Sequence, residues 1–343
     1  MADSNQFPIA TALEHYWEDV GSKRDSASSI HARIKHLMDW MEIEDREEMA
    51  CGQFDNLSAA AFRTWSREYP VIVNGKERKE PRSPATTEES LNTLRAAFNY
   101  AKQKKAIDIV PDFETFGRKA VSNPIVVRVG LATISEMLRY AAEPNKRREA
   151  LHAFLVASIC TLARPGAVLD ICVSRQRKQW YRGSSVLRLN PAGRVQTKKH
   201  RPDVWVPPPL VKWLEERSLD EKSGGWLVHI SGRKVESVDT AWDTMREALG
   251  LPGGIEYGSY IIRRSMATIL RNWHKQGGTK VDYRELQEQM GHAKQTTTDV
   301  YALREMSAQS TVQLALGEAL AELERLAPGA LLPPAYHSSR KVD

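Results

Sequence analysis

The chain is poor in cysteine. It has three in 343 residues, Cys51, Cys160 and Cys172, and no two stand as a CxxC pair. A disulfide framework or a cysteine zinc site is therefore not expected, and a reducing cytoplasm is the natural compartment. Cys160 lies in the apolar run FLVASICTLA and reads as a small core residue. No apolar stretch reaches the roughly 18 residues a spanning helix needs, so no membrane partner is expected. The opening residues, MADSNQFPIATALEHYW, lack a basic stretch followed by an apolar one and do not read as a signal peptide. Internal repeats and low-complexity tracts are also missing.

What is present is a globular composition, with 41% hydrophobic and 27% charged residues. The length suits two domains of roughly 100–200 residues, each large enough for a core of its own. A net charge of +6 is compatible with a polyanionic partner without establishing one.

The first third reads as helical. Leu13, Tyr16, Trp17 and Val20 recur at helical spacing, as do Ile30, Ile34, Leu37, Met38 and Met41. Another helix is expected from Ser58 onward, and the Pro-, Gly- and charge-rich stretch from Pro70 to Pro84 reads as a surface loop. Thr86 with Glu89 resembles a capping box opening a helix whose stripe is Leu91, Leu94, Ala97, Phe98 and Ala101. Lys102, Lys104 and Lys105 close it, suited either to the helix C-terminus or to an anionic partner. Breakers at Pro111, Gly117 and Pro124 mark a linker. Beyond it come helices at Thr133–Ala142 and about Arg148 to Ala163, then short strands at Val186–Leu189 and Val204–Val206 around a basic turn. Further helices are expected at Thr240–Leu249, Tyr260–Trp273, Asp282–Met290 and Val312–Leu326. The boundaries are 1–110, 111–124 for the linker, 125–327, and a loosely held tail 328–343.

Four features of the second part carry chemistry. Arg164 precedes Pro165, which disfavours helix at residue 164 and suits the first position of a new helix. It should project from a buried junction, either into a salt bridge with an acid such as Asp170 or toward an anionic ligand. The turn Gln196-Thr-Lys-Lys-His-Arg-Pro202 offers Lys198 and Lys199, either merely exposed or able to reach a ligand. Tyr260 and Arg263 stand three apart near the start of an amphipathic helix, with Ile261, Met266 and Ile269 supplying burial and Arg264 as neighbour. Asp282 and Glu285 look like a box-like helix start, Gly291 a stop, and His292 lies on the turn that follows. The tract Thr296-Thr-Thr-Asp-Val-Tyr301 then opens another short helix, its threonines good caps and possible phosphate donors.

Taken together and in this order, these residues resemble the tyrosine recombinases: phage-type integrases, Xer-type recombinases and Cre-like enzymes. Met290-Gly291-His292 resembles the family's Leu-Gly-His turn, and Tyr301 lies nine residues after His292, where the nucleophilic tyrosine stands. Arg164 and Arg263 match the two family arginines. Lys199 sits at the usual distance before Val206-Pro207, with Lys198 one residue away. The stretch from Thr86 to Ala101 resembles the last helix of the family's core-binding domain. Two positions depart from the pattern. Tyr260 replaces the histidine of H-x-x-R, and Ala167 stands where an acid commonly follows the first arginine. A phenol still donates a hydrogen bond to a phosphate oxygen but is a poor base near neutral pH.

The resemblance implies a mainly α fold with a small β-sheet: a helical core-binding domain followed by an α+β catalytic domain. It implies a site-specific recombinase that cuts and rejoins double-stranded DNA through a 3′-phosphotyrosine on Tyr301 and a Holliday junction. Arg164, Arg263, His292 and Tyr260 would hold the phosphate, and Lys199 or Lys198 would protonate the leaving oxygen. No cofactor or metal is implied. The protein would work as a homotetramer on DNA, in the bacterial cytoplasm, in a phage or mobile-element context. The apolar stripe of the last helix, Val312, Leu316, Ala319, Leu323 and Leu326, would dock on a neighbouring subunit or pack on its own domain. A non-catalytic DNA-binding protein on the same fold and a type IB topoisomerase are the alternatives.

Overall fold

The computed structural model describes the chain except residues 1, 2, 5, 74–75, 78–80, 144–145, 198, 293–309 and 335–343. Residues Met1–Ile125 and Val126–Asp343 form two compact units. No helix among the described residues is long and apolar enough to cross a membrane.

The first unit is built from α1 (Ile9–Asp19), α2 (Ala27–Ile43), α3 (Asn56–Glu68) and α4 (Pro84–Gln103), with a short turn of helix, α5, at Arg118–Val121. Residues one turn apart share a helix face, so the expected stripes close on one core. Leu13 and Tyr16, Ile30, Leu37 and Met41, Phe62, and Leu91, Leu94, Ala97, Phe98 and Ala101 are all buried in it. Asp55 caps α3, its carboxylate accepting from Ser58 N at 2.8 Å. The start of α4 lies nearer the N-terminus than Thr86. Ser83 is the cap, its Oγ accepting from Thr86 N at 3.2 Å, and Pro84 takes the first helical position. Glu89 instead pairs with Arg33 at 3.0 Å. Within the expected loop, β1 (Ile72–Val73) and β2 (Lys76–Glu77) pair antiparallel. The segment expected as a linker starts inside this core. Phe113 is buried there, its ring edge-on to Phe54 at 4.8 Å. Breakers reveal where a helix cannot continue, but not that one aromatic ring between them anchors the chain.

The second unit is organised around α7 (Lys146–Thr161), which buries Leu151, Phe154, Leu155, Val156, Ile159 and Cys160. A helix apolar on all sides belongs at the centre. Against it pack α6 (Leu131–Ala142), then, beyond the short α8 (Pro165–Val168), α9 (Pro208–Leu219), α10 (Asp239–Ala248) and α11 (Tyr260–Asn272). Sequence reading did not anticipate α9. Its run Pro207-Pro208-Pro209 looks like a breaker, yet proline is tolerated in a first helical turn, whose N–H groups lack intrahelical partners anyway.

Strands β3 (Val186–Arg188) and β4 (Asp203–Trp205) form the expected hairpin, pairing Leu187 with Val204, both buried. A second small hairpin follows, β5 (His229–Ile230) with β6 (Arg233–Lys234). Last come α12 (Tyr283–Gln289) and the C-terminal helix α13 (Thr311–Leu326).

At the C-terminal end one of two alternatives is met and one expectation changes. Val312, Leu316, Ala319 and Leu323 are buried in their own unit's core, and α13 packs on α6, α11 and α12. That stripe is therefore already covered and does not present a face to a neighbour. Residues 328–334 are not loose either. Ala330 and Leu331 are buried, His152 Nε2 meets the Ala330 carbonyl at 2.6 Å, and Trp213 Nε1 donates to the Leu331 carbonyl at 3.0 Å. Replacing Leu331 with alanine should lower the unfolding free energy by about 2–4 kcal/mol in a urea titration. A change under about 0.5 kcal/mol, typical of a surface position, would contradict this packing.

Candidate active site

The site begins where α7 ends. Leu162 takes a left-handed conformation, φ +55°, rare for a branched residue. Its side chain is buried and its carbonyl is turned out of the helix, where it accepts from Arg263 Nη1. Arg164 follows in extended conformation, φ −69° and ψ 145°, as a residue before proline should. Its guanidinium reaches two separate segments, donating to the His200 carbonyl at 2.8 Å and, more distantly, to the Gly291 carbonyl at 3.5 Å. The salt bridge to Asp170 is not formed. Asp170 takes Arg177 at 2.7 Å and Arg201 at 2.6 Å instead.

Arg263 is only 4% exposed, on the inner face of α11. Besides the Leu162 carbonyl, it donates to the Met290 carbonyl at 2.7 Å and meets His292 Nε2 at 2.8 Å. A guanidinium only donates, so this imidazole nitrogen is the acceptor and the neutral ring carries its proton on Nδ1. Burial, with help from Arg263 and Arg164, holds the His292 pKa below its ordinary value. Its contribution to stability is therefore complete above the unfolded value near 6.5 and is lost as pH falls through and below it. Burial and the neighbouring Arg164 likewise pull Arg263 down to about 10, still cationic at neutral pH.

Neither Arg164 nor Arg263 has a carboxylate in ion-pair reach among the described residues. A partly buried pair of like charges is electrostatically costly unless an anion joins it. Carbonyl oxygens orient both arginines without neutralising them.

The loops that supply these carbonyls fit closely. Gly291 ends α12 with φ +65°, and His292 N donates back to the Gln287 carbonyl at 2.8 Å, a Schellman-type closure. A Cβ at Gly291 would lie 2.6 Å from the His200 carbonyl oxygen and 2.9 Å from Pro202 Cδ. The glycine lets the His292 turn abut the β3–β4 turn. Gly291→Ala should destabilise by about 2–4 kcal/mol, combining left-handed strain with overpacking. It should also slow any reaction that needs His292 and the turn together. Wild-type urea stability in that variant would argue against the close approach.

The basic turn is itself closed by Gln196, whose side chain donates to the Arg201 carbonyl at 3.0 Å and accepts from Arg201 N at 3.1 Å. Lys199 lies between these ends and is exposed. Tyr260 opens α11, 45% exposed, one turn before Arg263. Arg264 points elsewhere, to the Glu256 carbonyl. Asp282 caps α12, but Glu285 does not complete a box with it. It accepts from Ser310 Oγ at 3.0 Å and Thr311 Oγ1 at 2.6 Å, at the start of α13, where a carboxylate complements the helix dipole. Tyr301, Lys198 and Thr296, Thr297 and Thr298 lie outside the described residues.

The structure thus brings together Arg164, Arg263, His292 and the turn bearing Lys199. Sequence reading missed the carbonyls of Leu162, His200, Met290 and Gly291 that do the joining. Main-chain groups leave no trace in residue identity. Gln196 and Arg201 had a faint signal, as polar residues bracketing the lysines.

No protein-family model and no curated protein matches the sequence. Solved structures do. The Tn1549 transposon integrase in complex with circular intermediate DNA superposes with a TM-score of 0.58 at 14% identity, covering 87% of this chain and 99% of that one. A lambda integrase tetramer bound to a Holliday junction gives 0.54 at 17%, covering 89% and 81%. The XerH site-specific recombinase bound to its difH substrate gives 0.54 at 15%, covering 86% and 82%. At these identities the likeness is one of fold, and the fold, mainly helical with small β-hairpins, is that of the tyrosine recombinases.

Proposed function

We propose that this protein is a site-specific DNA recombinase that breaks and rejoins strands through a covalent bond to Tyr301. One observation carries the reading. Arg164 and Arg263 reach adjoining turns, beside His292, with no carboxylate in ion-pair reach among the described residues. Two oriented guanidiniums suit the non-bridging oxygens of a phosphodiester and stabilise the charge that gathers there as phosphorus is attacked. Residues 125–327 would be the catalytic domain, and 1–110 the helical DNA-binding domain.

In this mechanism Tyr301 Oη attacks phosphorus, and the bond to the 5′ oxygen breaks. Lys199, or Lys198 beside it, gives a proton to that oxygen, and the phenol releases its own. The products are a 3′-phosphotyrosyl ester and a 5′-hydroxyl. The ester keeps the bond energy, so a 5′-hydroxyl from another strand rejoins the DNA by the reverse steps, with no co-reactant. His292 and Tyr260 would add hydrogen bonds to the phosphate. Exchange between two duplexes through a Holliday junction calls for a tetramer on DNA, as the lambda integrase structure has.

The test is a nicked duplex carrying the cognate site, from which the small fragment 3′ to the break, bearing the free 5′-hydroxyl, diffuses away and so traps the adduct. A protein–DNA species stable in SDS is the expected result. Binding without an adduct would leave a DNA-binding protein on a recombinase fold, the reading that Tyr260 and Ala167 favour. Relaxation of any supercoiled plasmid, whatever its sequence, would identify a topoisomerase.

A further inference from the structure

Position 167, where the resemblance leads one to expect an acid after the first arginine, is a buried alanine. An acid is nevertheless close by, differently connected. Asp170 is the shared partner of three cations: Arg177 at 2.7 Å, Arg201 at 2.6 Å and Lys234 at 3.6 Å. Two of them are braced from below, since Arg177 and Lys234 lie over the Trp226 ring at 4.9 and 5.5 Å. The third, Arg201, belongs to the β3–β4 turn, two residues after Lys199.

We infer that Asp170 is a positioning residue for the turn lysine, acting through Arg201. The inference rests on the recombinase reading and adds to it how the general acid is kept in place. The connections form a continuous path. Asp170 fixes the Arg201 guanidinium; the Arg201 main chain is bound at N and O by Gln196; and the residue between Lys199 and Arg201, His200, gives its carbonyl to Arg164 at 2.8 Å. The turn is therefore held at both roots and tied to the first arginine, while the lysine side chain stays free in solvent. Without the carboxylate, Arg177 and Arg201 would keep no carboxylate partner among the described residues, while Lys234 would retain Glu236 at 3.2 Å, and Arg201 would leave. A proton donor must meet the departing oxygen within hydrogen-bond distance, so a shift of about 1 Å in its base is costly.

The test compares ordinary DNA with DNA in which sulfur replaces the bridging 5′ oxygen at the cleavage point. A thiolate leaves without being protonated, so this substrate does not need the lysine. Asp170→Asn is expected to cut ordinary DNA about tenfold to a hundredfold more slowly under single-turnover conditions, with unchanged DNA affinity. On the sulfur substrate it should regain nearly the wild-type rate. Arg201→Ala, which changes a residue near the surface, should show the same pair of results, and the double variant should be no worse than either single one. Wild-type cleavage of ordinary DNA by Asp170→Asn or by Arg201→Ala would overturn the inference, and so would an equal defect on both substrates. A wild-type protein that cleaves neither substrate would remove the recombinase reading, and this inference with it.

Discussion

Tyr301→Phe is expected to abolish the covalent adduct while leaving DNA binding within about twofold of wild type. The change deletes one oxygen, and under the mechanism above that oxygen is the nucleophile. Loss of the attacking atom should reduce strand cleavage by on the order of 10⁴-fold or more, because phenylalanine offers no oxygen to form the ester. A gel-shift measurement with the same duplex supplies the control, since phenylalanine keeps the aromatic ring. Tyr301 is one of ten tyrosines, and its assignment rests on its place nine residues after His292. An adduct persisting in the variant would move the nucleophile to another tyrosine. Peptide mapping of the wild-type adduct would then identify which.

Arg263→Met should separate activity from stability. The guanidinium is nearly buried and held by two carbonyls and an imidazole, yet its pKa is pulled down to about 10 by burial and by Arg164. Removing it leaves carbonyl acceptors unpaired, which costs free energy. It also relieves a desolvated charge that faces another of the same sign, which returns some. The two effects oppose, so the unfolding free energy should change by no more than about 2 kcal/mol. Cleavage has no such compensation and should fall by about 10³-fold, the scale of losing a preorganised donor to developing charge. Arg263→Lys should recover little of it, because an ammonium lacks the planar fork. Inorganic phosphate should raise the thermal midpoint of the wild type more than that of Arg263→Met. Single-turnover cleavage within tenfold of wild type in the methionine variant would sink the assignment.

How far the sequence reveals this molecule depends on which groups do the work. Periodic burial is legible, and the stripes of α2, α4 and α13 lie where spacing puts them. The break at Arg164-Pro165 is legible too, because proline restricts its neighbour. The helix α9, which opens within a run of three prolines, is hidden by the same rule. The partner of Glu285 could not be read, since a side chain three residues after a cap serves either its own helix or, as here, the start of α13. The alternatives for Arg164 could not be separated either. Asp170 is six residues away in sequence, and only the fold turns it toward Arg201.

The way the two arginines are held has a consequence for inheritance. Their partners include the main-chain oxygens of Leu162, His200, Met290 and Gly291, groups that persist whatever side chain occupies the position. A mutation at Leu162, His200 or Met290 alters packing and leaves the acceptor in place. The guanidiniums, the His292 imidazole, and the glycine whose lack of a side chain admits the neighbouring loop are tied to residue identity. A binding pocket assembled this way tolerates extensive drift around a few fixed letters, so such a lineage outlives its detectable resemblance to its relatives.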